Sequence, residues 1–272
     1  MKPLFLFLSL ILFLGSCSEY QKVLKNEDIK AKYELAQSLY EEEDFKRSNR
    51  LFEQIAPKYI GKPQGERVMF FLAETYFQRK DYNMAGYQFE RFIKSYPKSE
   101  KVLEAAFYGA SSYYELSPEY SLDQTDTDKA LTKLQTFINT YPDSEFFEEA
   151  NLMAKELTIK KEKKAFEIAR QFNKIGEFDY TFLTPAVTAF DNFVSDNPGS
   201  IYQEAALFYK LEAASRLALN SSERLKQERL EHAKTAYLKL KKQYPETAYG
   251  KQADKWLERI ERDSQGYTEV SK

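Results

Sequence analysis

The sequence predicts an all-α fold: an α-solenoid of about five helix-turn-helix repeats, followed by a C-terminal capping helix. Three observations support this. The 272 residues include 9 glycines and 9 prolines, fewer than the roughly 12% of average composition that turn-rich sandwiches and barrels exceed. A short motif recurs along the chain without gaps. The spacing inside that motif places its members on one face of a helix.

The motif has four members: a small residue, a large apolar residue four positions later, another three positions after that, and a proline five positions further on. A partial copy without the proline lies upstream. The copies are Ser48, Phe52, Ile55; Ala85, Phe89, Phe92, Pro97; Ala130, Leu134, Phe137, Pro142; Ala186, Phe190, Phe193, Pro198; and Ala233, Tyr237, Leu240, Pro245. Each copy predicts a helix that packs through this face and ends before the proline, which cannot continue it.

A second helix with a small-residue pattern precedes each copy, as in Leu72-Ala73 with Tyr76. These paired helices resemble tetratricopeptide (TPR) repeats, and the unit at 66–97 matches that family best. The resemblance implies that the first helix of each pair lines a concave groove and that the second packs outside it.

The repeat domain is expected to cover residues 28–262. Its units are placed at about 28–63, 66–97, 102–142, 145–198 and 202–245. An amphipathic helix at 249–262 would cover the exposed end of the stack, as terminal repeats require. Residues 263–272 form a tail without an apolar period.

The N-terminal residues predict export. Lys2 precedes an apolar run from Leu4 to Leu14, which is too short to span a bilayer and is typical of a signal peptide over residues 1–16. The run ends in Leu14-Gly15-Ser16-Cys17, which resembles the lipobox of bacterial lipoproteins. That resemblance implies cleavage before Cys17, a diacylglyceryl thioether on Cys17 and acylation of the new amino terminus, for example with palmitate. Residues 17–27 would then be a lipidated linker. An ordinary cleaved signal peptide is the alternative.

Composition argues against catalysis, metal binding and nucleic-acid binding. One cysteine and one histidine leave little for a metal site or a catalytic triad, and no glycine-rich phosphate loop is present. The net charge of −2 provides no positive field for nucleic acid. We therefore expect no cofactor and no enzymatic activity, the alternative being a site built from scattered carboxylates.

Aromatic residues are the candidate binding residues. Transferring the TPR groove positions to the first three units places two aromatic residues seven positions apart in each unit, with Glu74 and Glu104 beside them. Arg67 lies at a groove position and could pair with a terminal carboxylate. The candidate groove residues are Tyr33, Tyr40, Arg67, Phe70, Phe77, Phe107 and Tyr114. Ordinary packing between repeats is the alternative role of these rings.

A lipobox followed by five TPR-like units over the whole mature chain resembles the BamD family (also called ComL or YfiO) of outer-membrane lipoproteins. The resemblance implies a non-catalytic scaffold of the β-barrel assembly machinery, held by Cys17 on the periplasmic face of the outer membrane. Its later repeats would bind the barrel-inserting subunit through that subunit's periplasmic repeat domains. Its first repeats would receive unfolded outer-membrane proteins. Another periplasmic TPR lipoprotein, for example in cell-wall remodelling, and a glycan-binding lipoprotein are the alternatives.

Overall fold

The computed structural model describes residues 19–270, with side chains up to residue 266. These residues form helices and turns and contain no strand. They divide into two compact units: the first runs to Pro118 and includes Asp123–Leu157, and the second consists of Glu119–Leu122 and the chain from Thr158 onward. The predicted signal peptide and Cys17 lie outside the described residues.

The helices follow one another along the chain with short connections. After a helical segment over residues 19–25, they are α1 (Ile29–Glu41), α2 (Phe45–Tyr59), α3 (Gly65–Gln78), α4 (Tyr82–Ser95), α5 (Val102–Glu115), α6 (Thr125–Thr140), α7 (Phe147–Ile175), α8 (Leu183–Asp196), α9 (Gln203–Leu219), α10 (Glu223–Gln243) and α11 (Gly250–Val270). A 3₁₀ turn, Tyr180–Phe182, precedes α8.

Consecutive helices pack in pairs within each unit. In the first unit, α1 packs on α2, α3 on α4 and α5 on α6, and α2–α3 and α4–α5 contacts join the pairs. In the second unit, α9 packs on α8, α10 and α11, and α11 also contacts α10. This arrangement confirms the predicted fold class, an all-α stack of TPR-like helix pairs.

The repeated motif forms the core of both units. The small residue of each four-member copy is fully buried, so that the neighbouring helix can approach closely. The large residue seven positions later is buried in every copy. The small residues are Ala85, Ala130, Ala186 and Ala233, and the large ones are Phe92, Phe137, Phe193 and Leu240. The helix face on which the motif spacing places these residues is therefore the face that is buried in the structure.

The prolines end their helices in one shared geometry. The residue before each proline is the C-cap, with φ between −133 and −124° and ψ between 59 and 76°, and its N–H donates to the carbonyl four residues earlier. Proline excludes the helical conformation for the preceding residue. These C-cap residues are Tyr96, Tyr141, Asn197 and Tyr244.

A hydroxyl two residues after the proline joins three of these turns to an earlier helix. Ser99 Oγ donates to Glu66 at 2.5 Å, and the hydroxyls of Ser200 and Thr247 donate in the same way to Glu162 and Glu204. The fourth turn has Ser144, whose buried hydroxyl has no hydrogen-bond partner. The position in α5 that corresponds to Glu66 is Leu103, which explains the missing bond.

This difference between turns gives a matched pair of variants. Ser99→Ala removes the charge-assisted hydrogen bond to Glu66 and the bond that Ser99 Oγ accepts from the N–H of Lys101, so we expect it to lower the free energy of unfolding by about 1–2 kcal/mol. Ser144→Ala removes a hydroxyl that makes no bond and should change stability by less than about 0.5 kcal/mol or raise it slightly. Urea unfolding measures both. Equal losses would show that the contact between Ser99 and Glu66 contributes nothing.

Helical structure continues beyond the expected bounds of the repeat domain at both ends. Residues 19–25, expected to belong to a linker, are helical. α11 continues through the expected tail to Val270. Among the described side chains, Lys226 Nζ lies 2.7 Å from Asp263 Oδ2, and Ser264 Oγ donates to the carbonyl of Ile260 at 2.9 Å.

Candidate peptide-binding groove

A cavity of about 570 Å³ opens on the first helices of the first three repeats, all in the first unit. α1, α3 and the start of α5, each the first helix of its pair, provide its walls. The residues around it, hereafter the groove cavity, are Tyr40, Pro63, Glu66, Arg67, Phe70, Phe71, Glu74, Lys101 and Glu104. Three of the predicted groove residues, Tyr40, Arg67 and Phe70, therefore lie around one cavity.

Aromatic rings form the apolar part of the groove cavity. Tyr40 from α1 contacts Phe71 from α3 with ring centroids 4.6 Å apart, and Phe70 lies 6.4 Å from Phe71. Phe70 is only 4% exposed because its ring packs on Phe89 and Phe92 of α4. Phe70 therefore stiffens the wall, whereas the half-buried Phe71 contributes more open surface.

The charged groups of the groove cavity differ in their partners. Lys101 pairs with Glu104 at 2.5 Å, with its ammonium 5.0 Å from the centre of the Phe70 ring. Glu66 accepts the hydrogen bond from Ser99. Arg67 is exposed, its guanidinium lies 5.3 Å over the Phe71 ring, and it makes no ion pair with the described residues. Arg67 is thus the cation of the cavity that can take a carboxylate from a ligand.

Burial raises the pKa of Glu74 above its ordinary value. The hydrogen bond from the Tyr40 hydroxyl opposes this by favouring the carboxylate, Glu104 adds to the rise in pKa, and Lys101 reduces it. The pKa of Tyr40 also rises, mainly through burial and then through its bond to Glu74. Tyr40 therefore stays a neutral donor at neutral pH.

The raised pKa of Glu74 has a defined effect on stability. A carboxyl group that holds its proton more tightly in the folded state stabilises the fold below the ordinary pKa, 4.5, and that contribution is lost as pH rises through the folded pKa. We therefore expect Glu74→Gln to raise the unfolding midpoint at pH 7 and to change it little at pH about 4. Urea unfolding at both pH values measures this; an unchanged midpoint at pH 7 would contradict it.

The other predicted groove residues lie outside the groove cavity. Tyr33 packs beside Tyr59 at 5.8 Å, and Phe77 packs against Tyr82 and Tyr108 at 5.5 and 5.1 Å. Tyr114 donates to Glu156 at 2.5 Å, which together with burial raises the pKa of Tyr114 to about 12.

Phe107, expected at a position open to the groove, is instead 4% exposed. Phe146, just before α7, covers its ring in a parallel stack with centroids 4.3 Å apart. The prediction counted only positions on α5 and did not include this later segment. Phe71 and Lys101 also line the groove cavity; they were not predicted because they lie beside the expected positions rather than on them.

Two negative findings concern the described residues 19–270. No helix in this range is long and apolar enough to cross a membrane. No group of three or more histidine, cysteine, aspartate or glutamate side chains in it is arranged to hold a metal ion.

The paired helices and the cavity on their first members define a TPR-like helical-repeat protein. A family model described as YfiO, outer membrane lipoprotein, matches residues 25–230. The chain belongs to this family of outer-membrane lipoproteins, which confirms the resemblance to the BamD (YfiO) family.

No curated protein matches the chain. Among solved structures, one titled "Computational Design of Self-Assembling Cyclic Protein Homooligomers" aligns over 98% of this chain and 96% of its own, with 14% sequence identity and a TM-score of 0.23. A similarity of this size does not establish a common fold.

Proposed function

We propose that this outer-membrane lipoprotein is a non-catalytic scaffold of the β-barrel assembly machinery that receives unfolded outer-membrane proteins in the groove cavity. The observation that carries the proposal is the position of that cavity: it opens on the first helices of three consecutive repeats and combines aromatic walls with an arginine that makes no ion pair with the described residues. Membership of the family of outer-membrane lipoproteins supports a location at the outer membrane.

The chemistry of the groove cavity suits the end of an extended chain. Phe71 and Tyr40 offer ring faces to an aromatic side chain, and Arg67 can pair with a terminal carboxylate. The groove cavity is open rather than enclosed, so capture would be moderate and reversible, as hand-over to another subunit requires. No imidazole or thiol lines it, which favours binding over catalysis.

The proposal assigns the second unit to the barrel-inserting subunit, through that subunit's periplasmic repeat domains. The second unit carries large exposed apolar side chains, among them Phe178, 88% exposed, and Ile201, 68% exposed. Phe178 and Ile201 lie on opposite sides of α8 in the sequence, and single exposed side chains do not by themselves mark a docking site, so this assignment is supported by the family resemblance alone. Cys17 would hold the chain to the periplasmic leaflet through its acyl groups, since more than one chain makes attachment stable.

The first experiment is a mild-detergent pull-down of the tagged full-length protein from membranes, followed by mass spectrometry. Co-purification of a barrel protein with periplasmic repeat domains near one-to-one supports the proposal. Recovery of cell-wall enzymes or glycan transporters instead would contradict it.

The anchor is tested separately. Cys17→Ala should move the protein from the membrane to the soluble fraction, and intact mass should show the acyl groups on the parent protein alone. Ser18→Ala, one residue away, is the matched control and should leave the fractionation unchanged. An unmodified Cys17 in the parent protein would contradict the proposed attachment.

A further inference from the structure

The described chain begins in a segment that is already docked on the first repeat. Residues 19–25 are helical, and within them Tyr20 is 7% exposed while Val23 and Leu24 are partly buried against the core that α1 and α2 share with α3 and α4. The guanidinium of Arg47, from the first turn of α2, lies 5.5 Å over the Tyr20 ring.

Hydrogen bonds continue from this segment into α1. The N–H of Asn26 donates to the carbonyl of Lys22 at 3.1 Å, and Asn26 Oδ1 accepts from the N–H of Asp28 at 3.1 Å. Asp28 Oδ1 in turn accepts from the N–H groups of Lys30 and Ala31 and caps α1. The segment and α1 are thus joined by capping bonds rather than by a flexible linker.

Chain geometry limits how far this surface can lie from the lipid anchor. Cys17 and Tyr20 are three residues apart, and even a fully extended chain spans at most about 3.6 Å per residue, or roughly 11 Å. The polar layer on each side of the hydrocarbon core is about 5–8 Å thick. A buried Tyr20 that follows an acylated Cys17 must therefore lie within or just above the headgroup layer.

We infer that the face of the first repeat around Tyr20, Arg47 and Arg50 is a membrane-contact surface that rests on phospholipid headgroups. This inference relies on the proposed acylation of Cys17. The docked segment 19–25, hereafter the mount, then acts as a short, rigid connection to the membrane instead of a flexible tether. It holds the groove cavity, which lies in the same unit, at a fixed height above the bilayer.

The side chains of the membrane-contact surface suit phospholipid phosphates. The segment 19–25 exposes Lys22 and Lys25 and carries a single acid, Glu19. The charges of Arg50 and Arg47 act on the Tyr20 hydroxyl, as does that of Asp44, whose carboxylate pairs with Arg47 at 2.5 Å. Cations held at a membrane surface are each attracted by about 1 kcal/mol when anionic lipids are present, which adds to the constraint from the short anchor.

The test uses the full-length acylated protein in vesicles of phosphatidylethanolamine and phosphatidylglycerol that contain a headgroup-nitroxide lipid. Acylated Cys17 leaves no other thiol, so one introduced cysteine can carry a fluorophore. Lys46→Cys reports the first repeat beside the membrane-contact surface, and Gln135→Cys in α6 is the control position. We expect strong quenching at position 46 and weak quenching at position 135.

Two further variants test the mount itself. A glycine-serine spacer of about ten residues between Ser18 and Glu19 adds a mean reach of roughly 17 Å and should reduce the quenching at position 46 several-fold. Tyr20→Ala should reduce it by undocking the segment, whereas Tyr87→Ala, an exposed tyrosine on α4, should not.

The possible failures are distinguishable. If intact mass shows an unmodified Cys17, the proposed attachment and the mount both fail. If the protein is acylated and vesicle-bound but position 46 is unquenched, or if quenching is the same with and without the spacer, the mount alone is wrong.

Discussion

Truncation of Phe89 to alanine is expected to lower the free energy of unfolding of the first unit by about 3–5 kcal/mol. Phe89 is fully buried in α4 and is the large residue at the centre of the repeated motif. Its ring lies 6.1 Å from that of Phe70 in α3 and stacks at 6.0 Å on Tyr108 in α5. One side chain thus joins three consecutive helices.

The surroundings of Phe89 leave little room to close around the cavity that this truncation creates. A Cβ added at Gly109 would meet the Phe89 Cβ at 3.3 Å, so α4 and α5 are already in close contact at this point. The loss should therefore include the cavity cost as well as the lost burial.

Urea unfolding followed by circular dichroism measures the effect. Tyr87→Ala removes a neighbouring ring that is 53% exposed and should cost less than about 1 kcal/mol. Similar losses for the two variants would show that the repeated motif does not mark the core.

The core of the fold could be predicted because one spacing encodes it. The pattern of Ala85, Phe89 and Phe92 recurs along the chain, and in four of its five copies the proline that follows determines where the helix ends. The helical segment at 19–25 gave no such signal. Its burial depends on Tyr20, Val23 and Leu24, too few residues to show a period, and on a surface that exists only once the first repeat has folded.

The candidate site was predictable in part for a related reason. The family spacing placed Tyr40, Arg67 and Phe70 on inner helices, and the structure brings these three to one cavity. Whether a ring stays open depends on other segments, which spacing on a single helix does not encode. Phe107 is covered by Phe146 from the start of the fourth repeat, and a pattern within one repeat contains no information about that contact.

The second large effect is expected at Arg67. Under the proposed function, Arg67→Glu should weaken binding of a peptide that ends in an aromatic residue with a free carboxylate by tenfold or more. A charge-assisted hydrogen bond is worth about 1.5–3 kcal/mol, and 1.4 kcal/mol corresponds to a factor of ten in affinity. Fluorescence anisotropy with a labelled peptide measures the affinity.

Amidation of the peptide separates carboxylate recognition from a general change of charge. The parent protein should lose affinity for the amidated peptide, whereas Arg67→Glu should bind the amidated peptide at least as well as the free acid, so that the two changes are strongly coupled in a double-mutant cycle.

Arg91→Glu is the matched control for this cycle. Arg91 also places its guanidinium over an aromatic ring, 5.7 Å from the centre of Tyr87, and it lies outside the groove cavity. Its replacement changes the net charge by the same amount and should leave the response to amidation intact. If Arg91→Glu and Arg67→Glu weaken binding equally, the attraction is a long-range effect of net charge. If Arg67→Glu alone removes the dependence on the carboxylate, the unpaired guanidinium over Phe71 is the group that recognises the end of the incoming chain.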